Sequence, residues 1–441
     1  MATGLQAGRS ACREACLACN LYQCDSCYLL FTITPYAQDL PLRAGLAKAD
    51  LTPASSMPMY GYSNRRCGPS NGIHDPLHAK ALVLQSGDTK LAIVTLDLGS
   101  FVSEKLVSDI KTKLGIPVVL LAASHTHSGP AFLPPSANQP AYLAEIEAKI
   151  FDAVKRAAES LFPAQLAVSK GSIQLGYNRL LPRDDGRSRA LFDNLERIPY
   201  GPVDPEFTNL HILDSAGNTK ALLIHYAVHA VVLGPTNCLY SADFPGALQA
   251  KVEAEMPGVQ AMYVQGGAGD INPLFMARSG NTDADFTVVK KMGETLAASV
   301  LTAARTPHPL SPNKHPIETR ADLLHYPDRW DKSQSLDVGI TTVLINREIA
   351  IAATPGELMH KLQTGWKQRA EIRVPLFYGY TYSSGGIWPG YIPDLKTAAH
   401  GGYGADVTTR IAIGAGEDIL QRHLIHLYEI LGMWRDQPGR P

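Results

Sequence analysis

Several features that mark common protein classes are missing from this sequence. No apolar run reaches the ~18 residues that a membrane-spanning helix needs, so no transmembrane segment is expected. An excess of one charge is missing too: 40 Lys and Arg face 41 Asp and Glu, for a formal net charge of −1. Nucleic-acid-binding chains usually carry a basic surplus or stripe, so no nucleic-acid partner is expected. There is no G-x-S-x-G elbow and no P-loop, which removes the common serine hydrolases and NTPases. Internal repeats and low-complexity tracts are also absent.

Cysteine is scarce over most of the chain. Cys12, Cys16, Cys19, Cys24 and Cys27 crowd the N-terminus, and only Cys67 and Cys238 follow. Cys16/Cys19 and Cys24/Cys27 have the spacing of metal knuckles, but the gap between the pairs is too short for a zinc ribbon. Arg9, Arg13, the apolar run Tyr28-Leu29-Leu30-Phe31 and the small Ala37 supply parts of a secretory signal, and a start assigned too early would leave a similar stretch. Each reading makes residues 1–41 a tail and places one folded domain over 42–441. A signal would send the protein to the periplasm or outside the cell; without one it is cytoplasmic. Cys67 and Cys238 lack any nucleophile setting, so no catalytic cysteine is expected.

What is present suits a large enzyme. Hydrophobic residues make up 45% of 441, enough for a substantial core. Apolar runs at 79–84 and 91–96 flank Ser86-Gly87-Asp88-Thr89 as a hairpin, and a second hairpin is expected at 211–224. Short strands are expected at 117–121 and 261–264, with a further hairpin at 340–353 leading into a helix near Glu357. Residues 141–161 carry Leu143, Ile146, Ile150 and Val154 at helical spacing. The pattern predicts an α/β fold: mixed sheets with flanking helices in a single large catalytic domain.

Three of the strands are followed by His125, Asp270 and Glu357, and loops at strand ends are where a scaffold presents chemistry. In Ser124-His125-Thr126-His127-Ser128-Gly129-Pro130, a continuing strand would aim both imidazoles one way, as zinc ligands or as a hydrogen-bonded loop pair. His225 and His229 share a face on either strand or helix, as core residues or as ligands. Glu357 fits a helix N-terminus as readily as a metal. His74 and His78 are separated by Pro76, which breaks helical ligand geometry, although His74 could line a pocket. His423 and His426 read as surface positions on a terminal amphipathic helix.

Taken together, these segments resemble the neutral (non-lysosomal) ceramidase family. The likeness runs from Ala44-Gly45-Leu46-Ala47-Lys48 through Met59-Tyr60-Gly61-Tyr62 and Gly72-Ile73-His74 to at least Tyr403, with Ser124 replacing a threonine before His125. It implies a zinc ion held by His125, His229, Glu357 and Tyr391. It also implies active-site roles for His127, Arg179 and Tyr403. Asn272, in Gly269-Asp270-Ile271-Asn272-Pro273, stands where the family has a serine. An amide donates hydrogen bonds but is no nucleophile, so metal-activated water is the expected attacker. Asp270 is expected to fix its loop rather than bind metal. The family's immunoglobulin-like C-terminal domain is expected to be missing here.

The resemblance thus implies a zinc-dependent hydrolase of lipid metabolism acting on a linear amide, either an N-acyl amine or a ceramide-like substrate. A zinc esterase or lactonase, and a catalytically silent zinc-containing binding protein, are the competing readings.

Overall fold

Alternating apolar strands build two sheets that pack face to face. The computed structural model describes residues 40–132, 139–383 and 385–434, so the N-terminal cysteine cluster and signal-like segment lie outside the described residues. The larger sheet has ten strands. Its order is Gln260–Gln265, Thr219–Tyr226, Glu206–Asp214, Phe162–Ser172, Leu42–Asp50, His78–Ser86, Thr89–Leu96, Val118–Ala123 and Thr381–Tyr382, with His308–Pro309 added beside Phe162–Ser172. The three expected hairpins form as antiparallel pairs, the one at 340–353 in the second sheet, and parallel pairing joins Thr89–Leu96 to Val118–Ala123 and Thr219–Tyr226 to Gln260–Gln265.

Period-two alternation assigns the faces. Ala81, Val83, Val94 and Leu121 pack beneath helices Glu104–Leu114 and Gln139–Glu159. Their neighbours Leu82, Leu84, Ile93 and Leu120 point the other way, against Val343, Ile351 and Leu376 of the second sheet. That second sheet runs Glu318–Pro327, Ser335–Ile345, Ile349–Ala353, Val374–Tyr378. Its outer face is covered by helices His360–Arg369 and Ala415–Ile430. Helices Asp243–Glu255 and Thr282–Ala304 close the remaining flank over Leu222, Ile224 and Tyr263. Each Leu or Ile so buried contributes ~1.5–3 kcal/mol, which is why the two-sided strands hold position. The result is the expected α/β architecture of mixed sheets with flanking helices.

Local expectations fail at four places. The strand before His125 stops at Ala123, and His125 adopts φ 64°, so His125 and His127 do not sit on a continuing strand. The helix near Glu357 starts only at His360, and Glu357 instead pairs with Tyr391 in a short parallel bridge. His225 belongs to Thr219–Tyr226 while His229 lies in the loop beyond, so the two share no face. His225 turns to Phe377, donating from Nε2 to its carbonyl at 2.8 Å. His423 and His426 are buried, not exposed, and meet Thr342 and Thr354 on the second sheet. Helical periodicity alone could not reveal that this sheet covers them.

Candidate metal centre

The centre is made by loops that leave the C-terminal ends of five strands. Val118–Ala123 leads to His125, Thr219–Tyr226 to His229, and Gln260–Gln265 to the Gly266–Asn272 loop. Ile349–Ala353 leads to Glu357, and Val374–Tyr378 to Tyr380. Rigid two-sided strands thereby bring together residues far apart in the chain.

Second contacts hold the histidine rings. His125 Nδ1 lies 2.6 Å from the Gly99 carbonyl oxygen, and His229 Nδ1 lies 2.6 Å from that of Ala268. A carbonyl only accepts, so each Nδ1 carries a proton and each ring turns its Nε2 inward. Both Nε2 atoms face one carboxylate oxygen, Glu357 Oε2, at 3.3 and 3.1 Å. His127 Nε2 lies 3.2 Å from His125 Nε2. Burial pushes His229 down to about 4, and burial with the neighbouring histidines pushes His127 well below its ordinary value, so neither ring is charged at neutral pH. Two imidazole nitrogens and a carboxylate oxygen converging in a buried site are a donor set suited to a cation. Donors ~2.0–2.1 Å from a tetrahedral zinc stand roughly 3.3–3.4 Å apart, close to these separations. His125, His127 and His229 form a group of potential ligand atoms all within 4.8 Å.

Tyr391 lies beside Glu357 through backbone pairing, and the Arg179 charge acts on its phenol. Arg179 is buried with its guanidinium 5.3 Å from the Tyr391 ring centre and 5.2 Å from that of Tyr403. It donates to the Gly269 carbonyl at 2.7 Å and to Asn272 Oδ1 at 3.1 Å. Arginine cannot accept, so Asn272 spends its oxygen there and keeps its NH₂ as a donor. His127, Arg179, His229, Asn272, Tyr391 and Tyr403 line one cavity of about 550 Å³. His127, Arg179, Asn272, Tyr391 and Tyr403 thus lie near the cluster of His125, His229 and Glu357, whereas His225 faces the core.

Asp270 stands behind this wall. Its Oδ1 accepts from the His360 backbone N–H at 2.9 Å, and its Oδ2 meets His360 Nδ1 at 2.6 Å and Asn178 Nδ2 at 2.9 Å. Burial lowers the His360 pKa but the Asp270 carboxylate outweighs it and raises it, giving a buried ion pair that anchors the Asn272 loop. His74 lies elsewhere, stacked on Phe286 with ring centres 3.5 Å apart in a separate cavity of about 440 Å³.

Sequence reasoning missed the groups that hold His127. Tyr62 packs edge-on to its ring at 4.9 Å between centres, and Arg65 donates to its backbone carbonyl. Gly61, at φ +98°, is required because a Cβ there would lie 2.2 Å from the His127 ring. Cys67 and Cys238 form a disulfide with Cα atoms 6.0 Å apart, tying the Arg65 loop to the Asn237 loop, where Asn237 bonds Ser128 Oγ at 3.0 Å. Pairing across 171 positions leaves no spacing signal.

Fold and centre together define an α/β protein with a buried two-histidine, one-carboxylate, metal-competent site beside an arginine- and phenol-lined pocket. The family model described as neutral/alkaline non-lysosomal ceramidase, N-terminal, matches residues 42–293, and the chain belongs to that family. It is 30% identical over 289 residues to a neutral ceramidase of Pseudomonas aeruginosa, covering 61% of this chain and 43% of that protein. Neutral ceramidase A of Dictyostelium discoideum is 26% identical over 268 residues, covering 54% of this chain and 36% of that one. The matches thus span less than half the length of these relatives. The crystal structure of the P. aeruginosa neutral ceramidase superposes with TM-score 0.73 at 19% identity, covering 91% of this chain and 76% of that one. A structure described as ceramidase complexed with C2 gives the same TM-score. These likenesses establish a shared fold.

Proposed function

We propose that this protein is a zinc-dependent hydrolase of a linear amide, an N-acyl amine or ceramide-like lipid, using water as the nucleophile. The observation that carries the reading is the pair of histidine Nε2 atoms facing Glu357 Oε2, each ring held at Nδ1 by a backbone carbonyl. His125, His229 and Glu357 would hold the metal, with Tyr391 beside them. A zinc ion there lowers the pKa of water toward ~7 and polarises a carbonyl. His127, neutral and half-buried with no partner for Nδ1 among the described residues, takes the proton from the attacking water and delivers it to the departing amine. The water oxygen bonds to the acyl carbon, the C–N bond breaks, and a carboxylic acid and an amine leave. Arg179, the Asn272 NH₂ and Tyr403 face the oxygen that gains charge.

A silent binding protein would have no use for this donor array around an open cavity. An esterase or lactonase would use the same groups. Amide and ester substrates sharing one acyl group, each assayed with and without chelator, separate the readings. Chelator-sensitive amide cleavage supports the proposal, ester-only cleavage favours the esterase, and no cleavage of either favours binding alone. The Cys67–Cys238 disulfide supports export to the periplasm or beyond, since such bonds persist in oxidising compartments. No helix among the described residues is long and apolar enough to cross a membrane.

A further inference from the structure

One buried polar group at the centre has no role in the mechanism above. Tyr380 follows the strand Val374–Tyr378 and is fully buried. Its hydroxyl finds no hydrogen-bond partner among the described residues. The backbone there is also costly, because φ is 54°, a left-handed conformation that a bulky side chain rarely adopts. Two backbone bonds hold it: Tyr380 N–H donates to Gly356 O at 3.1 Å, and Ala123 N–H donates to Tyr380 O at 3.1 Å. Tyr380 therefore clamps the loop that leads to Glu357 against the strand end that leads to His125.

The clamp sets the ring 4.5 Å from the His125 ring centre and 6.1 Å from that of His229. Burial, and next the Glu357 carboxylate, hold the phenol in its protonated form. A phenylalanine would fill the same volume without burying a hydroxyl. Strain and an orphaned donor at one residue, beside three groups aimed at one point, mark a functional position rather than a packing one. Tyr391 differs, since it lines the open cavity and its hydroxyl is not an enclosed, unpartnered group.

We propose that the Tyr380 hydroxyl is a further catalytic donor, giving a hydrogen bond to the oxygen of an acyl ligand bound against His125, His229 and Glu357. This rests on the metal-hydrolase reading. The donor would act from beside His125, apart from Arg179, Asn272 and Tyr403 on the cavity wall.

Tyr380→Phe tests it, compared with wild type after loading both with zinc. Three quantities are read: metal content, melting temperature, and affinity for acetohydroxamate by calorimetry. The expected result is one zinc per chain in both proteins, an unchanged or higher melting temperature, and hydroxamate affinity lowered about tenfold or more in the variant. In an amide assay, kcat should fall by roughly 10²–10³ with KM nearly unchanged, the loss typical of one oxyanion donor. Wild-type hydroxamate affinity in the variant overturns the proposal. Loss of zinc overturns it too, because the phenol would then be a ligand, and so does a large fall in melting temperature, which would mean the hydroxyl has a structural partner. Wild-type protein that takes up no zinc would remove the metal reading as well, so the two failures are distinguishable.

Discussion

Acid should destabilise this protein through histidines buried as neutral rings away from the centre. His211 bonds Ser169 Oγ at 2.9 Å, His225 donates to the Phe377 carbonyl at 2.8 Å, and His423 lies between Thr342 and Thr354 hydroxyls at 2.8 Å each. Burial pushes His211 and His225 down to about 4, and burial with His426 nearby pushes His423 down to about 3. In the unfolded chain each titrates near ~6.5. Below that pH the unfolded state takes up protons that the folded state refuses. Stability is therefore full above ~6.5 and falls as pH drops toward the folded values. Between pH 7 and 5 each ring should cost roughly 2 kcal/mol, about 5–6 kcal/mol together, a large share of a typical ~5–15 kcal/mol total. Urea unfolding at the two pH values, with chelator present throughout to remove metal linkage, measures the drop. His225→Phe should lower stability at pH 7 but shrink the pH-dependent loss by about one third. A wild-type loss under ~1 kcal/mol, or a variant with an unchanged loss, would refute the reasoning.

Three further outcomes are expected. His125→Ala and His229→Ala should each lose both bound zinc and activity, and stoichiometric zinc in both variants by metal analysis would sink the ligand assignment. Asn272→Ala should keep zinc yet lower turnover roughly 10²–10³-fold; rapid-quench mass spectrometry should find no acyl-enzyme, and an adduct on any side chain would rule out direct water attack. Replacing Cys67 and Cys238 together by alanine should cost about 2–5 kcal/mol, because the bridge closes a loop across 171 positions. The doubly substituted protein should then unfold identically with and without dithiothreitol.

Much of the site could be read from the chain because strand ends are local features. The apolar run before His125, the run before the glycine-rich turn at Asp270 and the hairpin before Glu357 each stop abruptly, and the polar residue that follows is the one presented. Where local pattern was used to orient side chains, it failed. His225 and His229 are four residues apart, but the strand ends between them, so one ring faces the core and the other the centre.

Residue types and their order determined the α/β class, the family and the candidate ligands, because periodicity and motif are written along one dimension. Only the tertiary structure decided what each group meets. The carbonyls of Gly99 and Ala268 that meet the two Nδ1 atoms, the Asp270–His360 pair behind Asn272, the Cys67–Cys238 bridge and the Tyr380 hydroxyl, unpartnered among the described residues, all depend on approaches between distant segments. Such approaches follow from packing two sheets and their helices into one interior, and hydrogen bonds act only over the few ångströms that this packing creates.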